Sequence, residues 1–219
     1  MDKRRHIVHV LIKLDVCKDG YEISEIPSSL ASSTGLDVDK IDLIPALKPL
    51  STESKRVVKR DLLAVTRHLI ELNNTGLVAD RLTKHKRLVE FCDRYGVPIL
   101  PNDLAIHDQG IPVDSIFLGI ERLAKAILKS GGGEVVAPKK VLAEFENRDV
   151  VEVTATGGVS MQINNVLLAA WFDCISLEVT QNNACEYCAG PNLARAGARF
   201  CGSYCRDRWN KDKLRGKLK

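Results

Sequence analysis

The chain has 219 residues, 45% of them hydrophobic and 27% charged, with 32 basic against 28 acidic side chains for a net charge of +4. This is the composition of an ordinary soluble protein, and a chain of this length can remove roughly 70% of its unfolded surface on folding. A membrane span is excluded: the apolar run from Ile7 to Val16 is broken by His9, Lys13 and Asp15, too short and too interrupted for a transmembrane helix or a signal-peptide core.

Val8, Val10, Ile12, Leu14 and Val16 recur every second residue, the period of a strand with one buried face. Asp19-Gly20 signals a turn, and Tyr21–Ile26 can return beside the first strand, so an N-terminal β-hairpin is expected. His6 and His9 lack cysteine or carboxylate companions at ligand spacing and read as surface residues. Ser28 to Asp39 is a Ser-rich loop, and Pro45 and Pro49 mark a linker, closing a first segment of residues 1–49.

A helical domain is expected over 50–180. Val58, Leu62, Val65, Leu69 and Leu72 follow a 4-3-4-3 spacing, an amphipathic stripe. Asn73-Asn74-Thr75-Gly76 is expected to stop that helix, since Asn and Gly tolerate the left-handed conformation of a C-cap. Asp80 can cap the next helix, with Leu88, Phe91, Cys92 and Tyr95 inward and Gly96 and Pro98 at its end. Arg81, Lys84, His85, Lys86 and Arg87 make its start basic, as a solvated face would be.

Asp114 or Ser115 can cap a third helix carrying Ile116, Ile120, Leu123 and Ile127, which Gly131-Gly132-Gly133 would end. The triple glycine is not a phosphate loop, because no Lys-Ser/Thr follows it. A short helix is expected from Pro138, and a hairpin from Val150–Thr154 and Val159–Ile163 around Gly157-Gly158. Asn164 or Asn165 then caps a helix from Val166 to about Val179, apolar nearly all round and therefore central to the core, with Asp173 expected at its exposed edge. Cys17, Cys92 and Cys174 are scattered singly and read as buried thiols.

Residues 181–219 hold the chemistry. Cys185 and Cys188 are separated by two residues, and Cys201 and Cys205 by three. The first pair can converge from one tight knuckle; the second lies at i and i+4, on one face of a helix's first turn. Four such donors can enclose one tetrahedral Zn²⁺ and leave no open position for water, so the site reads as structural. Two disulfides or four unconnected thiols are the alternatives. The reducing cytoplasm expected from the absence of secretion signals favours the metal.

Cys185-Glu186-Tyr187-Cys188-Ala189-Gly190 and Arg199-Phe200-Cys201-Gly202-Ser203-Tyr204-Cys205-Arg206 resemble the "CEYCG … RFCS-x-x-CR" finger that ends many uncharacterised bacterial proteins. The stretch is similar to the finger of the CGNR-type bacterial proteins, proposed transcriptional regulators, and to the FCS-like and MYM-type fingers. Gly202 stands where those fingers carry Ser, and Cys205-Arg206-Asp207-Arg208 replaces Cys-Gly-Asn-Arg. Leu88-Val89-Glu90-Phe91-Cys92-Asp93-Arg94-Tyr95-Gly96 is similar to an "L-x-x-F-x-x-x-YG" helix end in the same proteins. The resemblance implies a regulator; through the FCS-like and MYM-type fingers it also implies a protein-interaction module.

From Arg195 to Lys219 there are nine bases against two acids, an excess of +7 that leaves −3 of the chain's +4 for residues 1–194. Such a block suggests nucleic acid, most simply DNA; a solvated, soluble tail is the alternative. Cys205 and Trp209 share a helix face, so Trp209 is expected to pack over the finger. Arg206, Arg208, Lys211, Lys213 and Arg215 flank that face and can follow a phosphate backbone. Arg195 and Arg199, between the cysteine pairs, are candidates for base edges or phosphates. A P-loop, a Gly-x-Ser-x-Gly motif and a paired-His motif are all absent, and no histidine follows His107. A non-enzymatic protein is expected. Its fold is expected to be α+β and mainly helical: an N-terminal β-hairpin, a helical sensing or dimerisation domain with a small hairpin, and a C-terminal treble-clef-like zinc finger.

Overall fold

The computed structural model describes residues 9–27, 43–51, 55–60, 62–100, 110–130, 135–146, 151–153, 159–163, 165–176, 183–193 and 197–216. The elements are β1 (His9–Cys17), β2 (Tyr21–Pro27), β3 (Leu43–Pro49), β4 (Lys55–Arg60), α1 (Leu62–Val78), α2 (Arg81–Tyr95), β5 (Ile111–Pro112), α3 (Val113–Ser130), α4 (Lys139–Glu146), β6 (Val151–Val153), β7 (Val159–Ile163), α5 (Val166–Ser176), β8 (Asn183–Ala184), β9 (Pro191–Asn192) and α6 (Ser203–Leu214). The fold mixes α and β. One sheet has the order β4-β1-β7-β6, a second the order β2-β3-β5, and β8 pairs with β9.

The alternating residues of β1 form a strand as expected, with Leu14 and Val16 buried. Its partners are not those of a hairpin. β1 lies antiparallel to β4 and parallel to β7, whereas β2 pairs with β3. The reason lies at the turn. Gly20 adopts φ +94°, and Tyr21 N–H donates to the Asp93 carboxylate of α2 at 2.9 Å, so α2 captures the chain and sends it into the second sheet. The expected linker at Pro45 and Pro49 is the strand β3. Only Ala46 and Leu47 pair with β5, so both prolines lie where β3 behaves as an edge and a missing N–H is tolerated. Leu14, Val16 and Leu47 share one buried cluster with α1, α2, α3 and α5. A sheet and a core thus join the segments 1–49 and 50–180.

Val58 belongs to β4, not to the first helix, which starts at Leu62. That helix does not stop at Asn73-Asn74-Thr75-Gly76 either. α1 continues to Val78, and Asn73, Asn74 and Thr75 are buried within it. Tertiary packing outweighs the local preference here. A Cβ on Gly76 would lie 2.7 Å from the Phe117 ring of α3, so the glycine allows two helices to approach closely.

Other local signals act where expected. Asp80 accepts from Thr83 N–H at 2.9 Å, and Gly96 closes α2 at φ +84°. Leu88, Phe91, Cys92 and Tyr95 are buried, as are Ile116, Ile120, Leu123 and Ile127 of α3. β6 and β7 form the antiparallel pair, and Asn165 caps α5 by accepting from Leu168 N–H at 2.9 Å. Cys17, Cys92 and Cys174 are buried free thiols. Asp173 departs from expectation: it is 3% exposed, because α1, α3, α4 and β7 enclose α5 on nearly every side. The Gly131 and Gly157 turns and the histidine at position 6 lie outside the described residues. No helix among the described residues is long and apolar enough to cross a membrane.

Gly76 offers a test of the packing. Glycine to alanine inside a helix ordinarily gains about 1 kcal/mol. Here the added methyl meets a buried ring, and overpacking costs about 1–3 kcal/mol. Gly76→Ala is expected to lower the urea midpoint at unchanged slope; a raised midpoint would contradict the packing.

Candidate metal centre

The knuckle is built by backbone hydrogen bonds. Cys185 N–H donates to Gly190 O at 2.8 Å and Ala189 N–H to Cys185 O at 2.9 Å, folding 185–190 into a loop between β8 and β9. Ala189 sits at φ +57°, the left-handed region that a side chain rarely adopts. Across the loop, Glu186 N–H donates to Arg199 O at 3.0 Å, which brings the second cysteine pair alongside the first. Cys201 precedes α6, and Cys205 lies in its first turn, where the positive end of the helix dipole favours thiolate.

The sulfurs of Cys185, Cys188, Cys201 and Cys205 all lie within 4.8 Å of one another. Cys188 Sγ is 3.9 Å from Cys201 Sγ, which is 3.6 Å from Cys205 Sγ. Sulfurs about 2.3 Å from a central ion define a tetrahedron with edges near 3.8 Å, whereas a disulfide bond is about 2.05 Å. All four cysteines are free. The donor set therefore fits a metal ion, with every position filled by protein. Among the sulfurs themselves, hydrogen bonding from Cys201 first, and then Cys205, holds the Cys188 thiol below its ordinary value, while Cys201 and Cys205 are pushed up, chiefly by their bonds to Cys188.

The helix α1 supplies what surrounds the sulfurs. Asn74, fully buried, donates from Nδ2 to Pro191 O at 2.8 Å, and its side chain also lies close enough to the Cys201 sulfur to favour the thiolate. Asn73 donates to Asn74 Oδ1 at 3.3 Å, and Arg67 Nε donates to Leu193 O at 3.1 Å. A Cβ on Gly190 would lie 2.0 Å from Asn74 Oδ1, and one on Gly202 would lie 2.3 Å from Glu71 Oε1. Both glycines thus leave space for side chains of α1. The departure from Ser at position 202 has a local cause: Glu71 occupies the room a side chain would take. Arg67, Glu71 and Asn74 were not anticipated as site residues. Their only trace in the sequence was a polar pair, Asn73-Asn74, interrupting an apolar helical stripe.

The basic residues divide. Arg206, Lys211, Lys213 and Arg215 are exposed on α6 and its end, while Arg208 is half-buried, with Nε 3.3 Å from Tyr204 Oη. Arg206 also pairs with Asp207 at 3.4 Å. Arg199 forms a bidentate pair with Glu186, at 2.8 and 2.6 Å, which holds the Glu186 carboxyl below its ordinary range. The same guanidinium lies over Phe200 and Trp209. Being exposed, the pair orients the two loops more than it stabilises them. Arg195 lies outside the described residues. Trp209 packs on Phe200 at 5.7 Å between ring centroids, and Tyr187 Oη donates to Asp212 at 2.8 Å, fastening α6 to the knuckle. On α2, Lys84 pairs with Asp114 and Arg87 with Glu90, as befits a solvated face.

Comparison of the chain with family models, with curated proteins and with solved structures finds no match.

Purified protein is expected to carry one metal ion per chain by elemental analysis and to lose it in Cys201→Ser; two intact disulfides would contradict the geometry. Partners outside the donor set commonly change metal affinity by about 10–100-fold. Asn74→Ala is accordingly expected to weaken metal retention about tenfold or more in a chelator competition. Retention equal to wild type would leave Asn74 with a packing role alone.

Proposed function

We propose that the protein is a zinc-finger nucleic-acid-binding protein, a cytoplasmic bacterial regulator in which the helical region senses or dimerises. Zinc suits a closed, all-thiolate tetrahedral set, and free thiols suit a reducing compartment. A knuckle between two short strands, followed by a helix bearing the last ligand, is a treble-clef-like order, in keeping with the finger the sequence resembles. The observation that carries the reading is the mounting of exposed cations on that helix. Arg206, Lys211, Lys213 and Arg215 are exposed on α6 and its C-cap, and the helix is fastened along its length by Cys205, by Phe200–Trp209 and by Tyr187–Asp212. Phosphate contacts of this kind position a protein without choosing a sequence. The proposed role is binding, with no catalytic step.

A protein-interaction module is the second reading. One observation favours it: the finger already buries the Pro191 carbonyl against Asn74 of α1, so part of its surface is suited to protein contact.

If the four exposed cations neutralise about four phosphates, log affinity for duplex DNA should fall with log salt at a slope of about −3.6. Lys211→Ala, Lys213→Ala and Arg215→Ala combined should weaken binding to every sequence alike and flatten the slope to about −0.9. Arg195→Ala should alter sequence preference if the loop reads base edges. Titrations of the whole protein against duplex DNA, single strands and RNA at several salt concentrations test this. Absence of binding to all of them at low salt would leave the protein-interaction reading.

A further inference from the structure

A second site lies far from the cysteines in sequence and involves none of the finger's residues. α3, α4 and α5 and the chain leaving α2 enclose a cavity of about 450 Å³. That volume is at the small end of the roughly 300–1,000 Å³ typical of small-molecule sites. Ile99, Leu118, Leu167 and Trp171 give it an apolar lining, and Arg122 and Lys140 line it as well. None of the described residues lining it is acidic. Arg122 is exposed and has no ion-pair partner among the described residues.

The construction is regular. Ser115, Leu118, Gly119 and Arg122 recur at three- and four-residue spacing, so one face of α3 forms a wall. Gly119 matters to the opposite wall: a Cβ there would lie 3.2 Å from Leu167 Cδ2, so the glycine keeps α3 and α5 close without filling the space between. Asn165, the cap of α5, also donates to Ile99 O at 2.7 Å and fixes the third side. Trp171 is 2% exposed and closes the floor of the cavity.

We propose that this cavity binds a small apolar monocarboxylate, of the aryl- or alkenyl-acid class. The hydrocarbon part lies against Leu118 and Leu167, and the carboxylate is held at the rim by Arg122. A planar guanidinium matches a carboxylate in two parallel hydrogen bonds. An apolar lining with a cation at its rim selects against amines, and weakly against neutral analogues. The site is independent of the nucleic-acid reading.

Cinnamate, cinnamamide and cinnamylamine are suitable probes, titrated calorimetrically into the full, metal-loaded protein. Cinnamate is expected to bind saturably and about tenfold more tightly than the amide, the worth of one charge-assisted contact. The amine should bind more weakly than either. Arg122→Gln should erase the preference for acid over amide while leaving amide affinity in place. Ser115→Trp, at an exposed position on the wall, should block acid and amide alike. Saturable binding absent at millimolar probe, an amine bound as tightly as the acid, or a preference that survives Arg122→Gln would each overturn the proposal. Undiminished binding in Ser115→Trp would overturn it too, by placing the ligand elsewhere.

Discussion

Four sulfurs drawn within 4.8 Å of one another, and one buried asparagine of α1 bonded to the Pro191 carbonyl beside them, hold the C-terminal sixth of the molecule in place. The short strands β8 and β9 and the twelve-residue α6 have little apolar surface of their own; of α6 only Cys205 is buried. A segment so poor in core residues would draw its folding energy from a metal held by the four cysteines; apparent values of about 10–16 kcal/mol are typical of structural zinc. Its orientation comes from α1. Asn74, with no exposed surface, satisfies the Pro191 carbonyl, and Gly190 and Gly202 open the space into which Asn74 and Glu71 fit. An unpaired buried amide or carbonyl costs about 1–3 kcal/mol, so the docking is selective as well as stabilising.

That arrangement determines which cations can act outward. Arg199, placed between the cysteine pairs, is turned back on Glu186 and stacked over Phe200 and Trp209. Arg208 leans on Tyr204. Both direct part of their donor set to partners inside the finger. Lys211, Lys213 and Arg215 lie further along α6, beyond the reach of the ring contacts, and keep their charge toward solvent. Electrostatic attachment to a polyanion depends on such exposed charges, and a rigid mount lowers the conformational entropy lost on binding.

Local features were readable from the chain itself. The cysteine spacing, the stripes of α2 and α3, the caps Asp80 and Asn165 and the β6–β7 pair each depend on residues close in sequence. What the reading missed was long-range. The Asp19-Gly20 turn has the residues of a hairpin, but the Asp93 carboxylate, more than seventy positions away, takes the Tyr21 N–H and steers β2 into another sheet. Pro45 and Pro49 look like linker residues until β3 is seen to pair with β5 at only two positions. Asn73-Asn74-Thr75-Gly76 has the composition of a helix end, yet two of its departures from helix preference answer a distant neighbour: Asn74 the finger, Gly76 the Phe117 ring. Asp173 follows the same lesson, since four elements converge on α5. Residues that break a local rule are often those with a distant partner.

The central claim is that metal node and helical core form one cooperative unit through α1. Scanning calorimetry of the metal-loaded protein and of the protein stripped by a chelator under reducing conditions tests it most directly. A single transition in the loaded protein, moved to lower temperature when the metal is removed, is the predicted result. Two separate transitions, with that of the helical core unmoved by metal removal, would contradict it.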